Sequence, residues 1–98
     1  MDSFQELIKS PIPVIVDFYA DWCGPCQSMM PMIKELAGQL DGRARIVKIN
    51  IDKNQAAARF YQIESVPTFI IFKEGKILWR HSGTLDKQTL QNQVATFG

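Results

Sequence analysis

The chain holds two cysteines and one histidine among its 98 residues, little material for a metal centre or a disulfide framework. Zinc would need two ligands beyond Cys23 and Cys26, and besides carboxylates only the distant His81 is on hand. A structural disulfide between the cysteines would close a loop too short to remove much entropy from the unfolded chain. Charge of one sign is lacking too. The formal net charge is +1, with lysines and arginines scattered among acids, so no basic stripe marks nucleic acid or an anionic membrane as a partner. No apolar run is long enough to cross a bilayer. The stretch from Met1 to Lys9 has neither a basic start nor a long apolar core, so it does not read as a signal peptide, and cytoplasmic residence is the expectation. There is no repeat, linker or low-complexity tract. With apolar residues at 46%, the length suits one small domain with one core over residues 1–98.

The two cysteines fall in the run Asp21-Trp22-Cys23-Gly24-Pro25-Cys26, between a β-like stretch and a helical one. Residues 13–20 are apolar on both faces and β-branched at their start, as in a strand buried in a parallel sheet. Beyond the cysteines, Cys26, Met29, Met30, Ile33, Leu36, Ala37 and Leu40 follow the i, i+3, i+4, i+7 spacing of one helix face. Pro25 suits a first helical turn, where its missing N–H is not needed. Cys23 is therefore expected at or just before a helix N-terminus, at the carboxyl end of a strand, where open α/β sheets place their chemistry. Unpaired N–H groups and aligned dipoles there favour a thiolate. An effect of about 1 to 2 kcal/mol brings a thiol pKa from about 8.5 to near neutrality, where the sulfur is partly ionised and still strongly nucleophilic. Neither Gly24 nor Pro25 carries a charge or a donor side chain to stabilise the thiolate further. A modestly stabilised thiolate leans the pair toward reducing other disulfides. Redox chemistry is the reading; unreactive cysteines and half a zinc site are the plain alternatives.

The order of elements is α/β. Ser3 and Glu6 form a capping-box pattern for a short helix ending near Ser10, where Pro11 and Pro13 stop it. After the long helix, Asp41-Gly42 makes a stop, and residues 44–51 read as a second strand. Asp52 or Asn54 is expected to cap a short Ala-rich helix running through Tyr61. Ser65-Val66-Pro67 leads into a third strand over 68–73, and Glu74-Gly75 turns the chain into a fourth over 76–81. A final helix starts near Asp86, with Leu90, Val94 and Phe97 on its apolar side. Met29, Met30 and Met32 fill gaps in the core or border the site, Pro31 is expected to kink the long helix, Trp79 to cover a sheet face and His81 to lie on the surface.

Asp17 interrupts a strand otherwise suited to full burial. A buried carboxyl without a strong partner has its pKa raised by desolvation and can shuttle protons near neutral pH, whereas the plain alternative is a solvated carboxylate on a half-exposed strand. Lys48 likewise interrupts Ile46-Val47 and Ile49. It either pairs across strands with Asp17 or, as an edge charge, discourages strand-to-strand association.

Trp22-Cys23-Gly24-Pro25-Cys26, Val16-Asp17-Phe18, Val66-Pro67-Thr68, Lys48, Phe72-Lys73-Glu74-Gly75 and Gly83 together resemble the thioredoxin family over nearly the full length. Two departures stand out. Tyr19 occupies a place where many members carry Trp, and the family's usual first strand has no counterpart before Ser3. The resemblance implies a thioredoxin-like fold reduced to a four-stranded mixed sheet flanked by helices, in the order second, first, third, fourth, with residues 44–51 at an edge. It implies a protein-disulfide reductase in which Cys23 is the nucleophile, Cys26 resolves the mixed disulfide and Asp17 assists Cys26 in losing its proton. Pro67 would be cis beside the dithiol, and Trp22, Gly24, Pro25, Lys48, Val66 and Gly83 would shape the site and dock substrate. No bound cofactor is needed; electrons would come from an NADPH-dependent flavoprotein thioredoxin reductase, and a monomer with weak self-association through the edge strand is expected. An oxidase or isomerase would share the fold, and a non-catalytic binding module or accessory subunit is the alternative of another class.

Overall fold

The computed structural model describes residues 2–98, with side chains from Phe4 onward; the first helix already includes Ser3, which therefore does not hold the N-cap position expected of it. The order is α1 (Asp2–Ile8), β1 (Val14–Tyr19), α2 (Gly24–Leu40), β2 (Arg45–Asn50), α3 (Gln55–Phe60), β3 (Thr68–Lys73), β4 (Lys76–Ser82) and α4 (Lys87–Phe97). Among the described residues the strands form one mixed sheet in the order β2-β1-β3-β4. β1 runs parallel to β2, with Asp17 opposite Lys48, and antiparallel to β3. β3 and β4 form the closing hairpin. Among the described residues β2 is thus an edge, as the resemblance implied.

Both faces of β1 are buried because its side chains alternate between two cores. On one face Ile15, Phe69 and Ile71 meet Met29, Ile33, Leu36 and Leu40 of α2 and Leu90 and Val94 of α4. On the other, Val14, Val16, Phe18, Ile70 and Phe72 meet Phe4 and Ile8 of α1 and Tyr61 after α3. Trp79 packs against the first of these cores, as expected of a residue covering a sheet face. The buried stripe of α2 is narrower than its spacing suggested. Met30 is only half-buried and Ala37 is exposed, since they flank the line set by Cys26, Met29, Ile33, Leu36 and Leu40. Pro31 lies inside one continuous helix.

Two turns tie the layers together. Glu74 and Gly75, with φ of 55° and 81°, give the left-handed pair that a two-residue hairpin needs. Their N–H groups donate to the carbonyls of Ser10 and Ile8, both at 2.9 Å, and the second of these satisfies a free C-terminal carbonyl of α1. At the end of α3 the Ile63 N–H donates to the Ala58 carbonyl and the Gln62 N–H to that of Arg59, the paired bonds of a Schellman motif. Asn54 holds the N-cap position of α3 but makes no side-chain capping bond. Instead its Nδ2 donates to the Asn50 carbonyl at 3.0 Å.

The Schellman position is occupied by Gln62 at φ 53°, where a side chain is sterically strained and glycine is not. Gln62→Gly is expected to raise stability by about 1 kcal/mol, read as a higher urea midpoint at unchanged slope. A lower midpoint would show that the left-handed conformation carries no strain here.

Candidate active site

β1 ends at Tyr19 and α2 begins at Gly24, so the cysteines occupy the strand-to-helix junction. Cys23 is the N-cap of α2, with extended backbone; its N–H donates to the Ala20 carbonyl at 3.1 Å and its carbonyl accepts from Gln27 at 3.2 Å. The Cys23 sulfur accepts the N–H of Cys26 at 3.1 Å. An N–H group and a helix N-terminus aimed at the same sulfur favour its anionic form once the disulfide is opened. Cys23 and Cys26 are joined as a disulfide, with their Cα atoms 5.3 Å apart. Each is 4% exposed, so burial of the whole residue does not separate the two. What separates them is position on the helix: Cys23 caps it, while Cys26 lies on its buried stripe.

Asp17 sits inside β1 at 4% exposure, and its Oδ1 is the one buried side-chain oxygen or nitrogen without a hydrogen-bond partner among the described residues. Desolvation pushes its pKa from 3.8 up to about 6, and the Lys48 ammonium from the neighbouring strand holds it lower than burial alone would. The solvated alternative is thereby excluded. Lys48 makes no ion pair with Asp17, since the one salt bridge among the described residues joins Lys87 to Glu35. It lies on the edge strand, exposed, and its field reaches Asp17. Its Nζ rests 3.3 Å from the Met30 sulfur and 5.7 Å from the centre of the Tyr19 ring.

Around the disulfide, Ala20 and the two cysteines form a small buried cluster against which Tyr19, Ile51 and Val66 pack. The Val66–Pro67 bond is cis. The Gly83 N–H donates to the Pro67 carbonyl at 2.8 Å, and Gly83 has a φ of 101°, which a side chain would oppose. Thr68 Oγ1 donates to the Ser65 carbonyl at 2.7 Å and closes the same loop. A Cβ on Gly24 would meet nothing within 4 Å, so glycine leaves open space between the cysteines, beside exposed Pro25. Trp22 is 70% exposed, and its Nε1–H donates to Asp52 Oδ2 at 2.8 Å.

Three residues gain roles that the pattern of the chain did not suggest. Asp52 anchors Trp22 instead of capping α3. Buried Asn50 accepts the Asp52 and Lys53 N–H groups on its Oδ1 at 2.9 and 3.3 Å, and so shapes the turn that presents Asp52. Arg80 of β4 donates through its guanidinium to the carbonyls of Tyr61 and Gln62, the latter at 2.7 Å, and clamps the end of α3 ahead of the Val66–Pro67 loop. Asn after a strand is a recognisable turn signal, but no spacing rule joins Trp22 to Asp52 or Arg80 to Tyr61.

A disulfide at a helix N-terminus, with a buried carboxyl on the strand leading into it, defines a thiol–disulfide oxidoreductase of the thioredoxin fold. The family model for thioredoxin matches residues 1–96. Thioredoxin Y, chloroplastic, of Oryza sativa subsp. japonica is 50% identical over 93 residues, 94% of this chain and 55% of that protein. Thioredoxin 1 of Synechococcus elongatus is 44% identical over 90 residues, 92% of this chain and 84% of its own. This chain therefore spans about half the length of the rice relative and most of the Synechococcus one. The X-ray structure of Fasciola hepatica thioredoxin superposes with a TM-score of 0.90 at 30% identity, covering 99% of this chain and 93% of that one. The chain belongs to the thioredoxin family. No helix among the described residues is long and apolar enough to cross a membrane.

The pKa of Asp17 is raised in the folded protein, so the folded state binds this proton more tightly than the unfolded one. Its carboxyl opposes folding least below pH 3.8 and most above about pH 6. Asp17→Asn should therefore stabilise the oxidised protein by about 1 to 3 kcal/mol above that window, with the gain fading as pH falls through it. Urea denaturation across pH checks this. A variant less stable than wild type at every pH would show that Asp17 is not a desolvated acid.

Proposed function

We propose that this chain reduces disulfides in protein substrates by a two-step exchange through Cys23 and Cys26. The observation that carries this reading is the Cys23 sulfur at the α2 N-terminus, accepting the Cys26 N–H at 3.1 Å. The Cys23 thiolate attacks a substrate disulfide, forming one S–S bond and expelling one substrate thiolate. Cys26 then gives its proton to the Asp17 carboxylate and attacks the Cys23 sulfur. The mixed disulfide breaks, the second substrate thiolate leaves, and Cys23–Cys26 is restored as a disulfide. Two electrons must then return, and an NADPH-dependent flavoprotein thioredoxin reductase is the donor that membership of the family suggests. The chain thus acts as an electron carrier in cell redox homeostasis.

Substrate would dock in extended form against the Val66 backbone, over the surface of Trp22, Gly24, Pro25, Pro67 and Gly83, with Lys48 acting through Asp17. The 98 residues would work as one domain and as a monomer. Cytoplasmic residence remains our reading for this chain, although some relatives, such as the rice protein, are chloroplastic by name. The competing reading of a non-catalytic binding module gains no support from a site that keeps both cysteines at bonding distance.

Insulin disulfide reduction, with dithiothreitol as electron source, tests the assignment. Cys23→Ser should abolish turnover, and Cys26→Ser should attack once and remain trapped as a mixed disulfide. Equal trapping by both variants would sink the division of roles. Because the base form of Asp17 prevails only above about pH 6, release of substrate should slow as pH falls through that value, and Asp17→Asn should be slow throughout. A pH profile identical in wild type and Asp17→Asn would remove Asp17 from the mechanism.

A further inference from the structure

Between α3 and β3 the chain runs from Tyr61 to Pro67 with no helix or strand of its own, so its form depends on bonds from outside. One of them comes from β4. Arg80 stands opposite Ile70 in the β3–β4 register, so it lies on the sheet face of Ile70, whose core includes Tyr61. From there its guanidinium forks to two successive carbonyls. Nη1 donates to Tyr61 and Nη2 to Gln62, the latter at 2.7 Å. Among the described residues no other donor is bonded to either carbonyl, and Arg80 has no carboxylate partner. Further on, the Ser65 carbonyl takes the Thr68 hydroxyl at 2.7 Å, and the Pro67 carbonyl takes the Gly83 N–H at 2.8 Å. Glu64 and Val66 are thus strung between fixed points, and Val66 packs on the disulfide cluster.

A segment that pairs with a loop backbone needs that backbone in one form, and ordering it at the moment of binding costs affinity. Arg80 removes part of that cost in advance. Its planar fork holds two carbonyls at once, a geometry that a single ammonium does not copy. It bonds to neither cysteine, and the cation acting on Asp17 is Lys48, so loss of the fork leaves the dithiol chemistry alone. We propose that Arg80 is a positioning residue for protein substrates: by pinning the Tyr61 and Gln62 carbonyls it holds the Val66 backbone ready for the extended segment beside a substrate disulfide. This rests on the two-step exchange proposed above. A disulfide with no peptide on either side has nothing to lay along Val66, so Arg80 acts on one class of substrate and not on the other.

The test compares the pre-reduced whole chain with Arg80→Met and Arg80→Lys in single turnovers against insulin and against hydroxyethyl disulfide, with oxidation of the cysteines read by acid quench and thiol alkylation. Methionine keeps the apolar stem and removes the fork. In Arg80→Met the insulin concentration giving half-maximal rate should rise about fivefold at an unchanged limiting rate, while the rate with hydroxyethyl disulfide stays that of wild type. Arg80→Lys keeps the charge without the fork, so it should show a smaller rise, again for insulin alone. Exchange of the Ile63 N–H, bonded to the Ala58 carbonyl just past the clamp, should quicken in the same order. Equal slowing with both substrates would overturn the proposal by placing the effect on the dithiol or on the fold. So would an insulin dependence that neither variant changes, with wild type active on both. A wild-type chain that reduces neither substrate would overturn the exchange itself, and this proposal with it.

Discussion

Everything in this molecule hangs on β1 being buried on both faces while carrying a carboxyl in its middle. Val14, Ile15, Val16 and Phe18 have no exposed surface, and each fully buried aliphatic or aromatic side chain contributes about 1.5 to 3 kcal/mol. That burial sets the strand centrally, between β2 and β3, and gives both helical layers something to cover. It also desolvates Asp17, which has no hydrogen-bond partner on Oδ1 to offset the loss of water. The same alternation that makes a rigid strand therefore makes a carboxyl that titrates near neutral pH.

The junction at the end of β1 converts that rigidity into reactivity. A strand fixed by two cores delivers Ala20 to one place, and the helix that starts at Gly24 is fixed by its own buried stripe. Cys23 has little freedom between them, so its sulfur meets the Cys26 N–H without further devices. The surrounding surface is held just as indirectly. Asn50 shapes a turn, the turn presents Asp52, and Asp52 holds the indole of Trp22, which would otherwise move freely at 70% exposure.

Much of this was legible in the chain because it rests on short-range physics. The continuous apolar run over 13–20, helical spacing from Cys26 to Leu40, Glu74-Gly75 between two strands and Asp86 before the last helix all act within a few residues. The Asp86 cap forms as expected, its Oδ1 accepting the Thr89 N–H at 3.0 Å. Long-range pairs were not legible. Nothing local says that the hairpin turn caps α1, that Arg80 reaches the end of α3, or that Met30 lies beside Lys48. Ala37 was read into the core because spacing defines an apolar arc wider than the sheet beneath it covers. The roles expected of the cysteines came from resemblance together with helix position, and their burial adds no distinction between them.

Lys48 shows why such a site resists simple optimisation. Its charge lowers the pKa of Asp17, which eases the ionic cost inside β1 and moves the carboxyl toward its base form. Lys48 is also exposed on an edge strand whose other residues, Ile46, Val47 and Ile49, are those of a sheet interior. A neutral residue there would raise the pKa of Asp17 and leave the edge sticky at once. An acid would favour the protonated carboxyl still more. One cation on an edge strand thus couples the titration of a buried acid to the charge carried by the open edge, and neither property is free to change without the other.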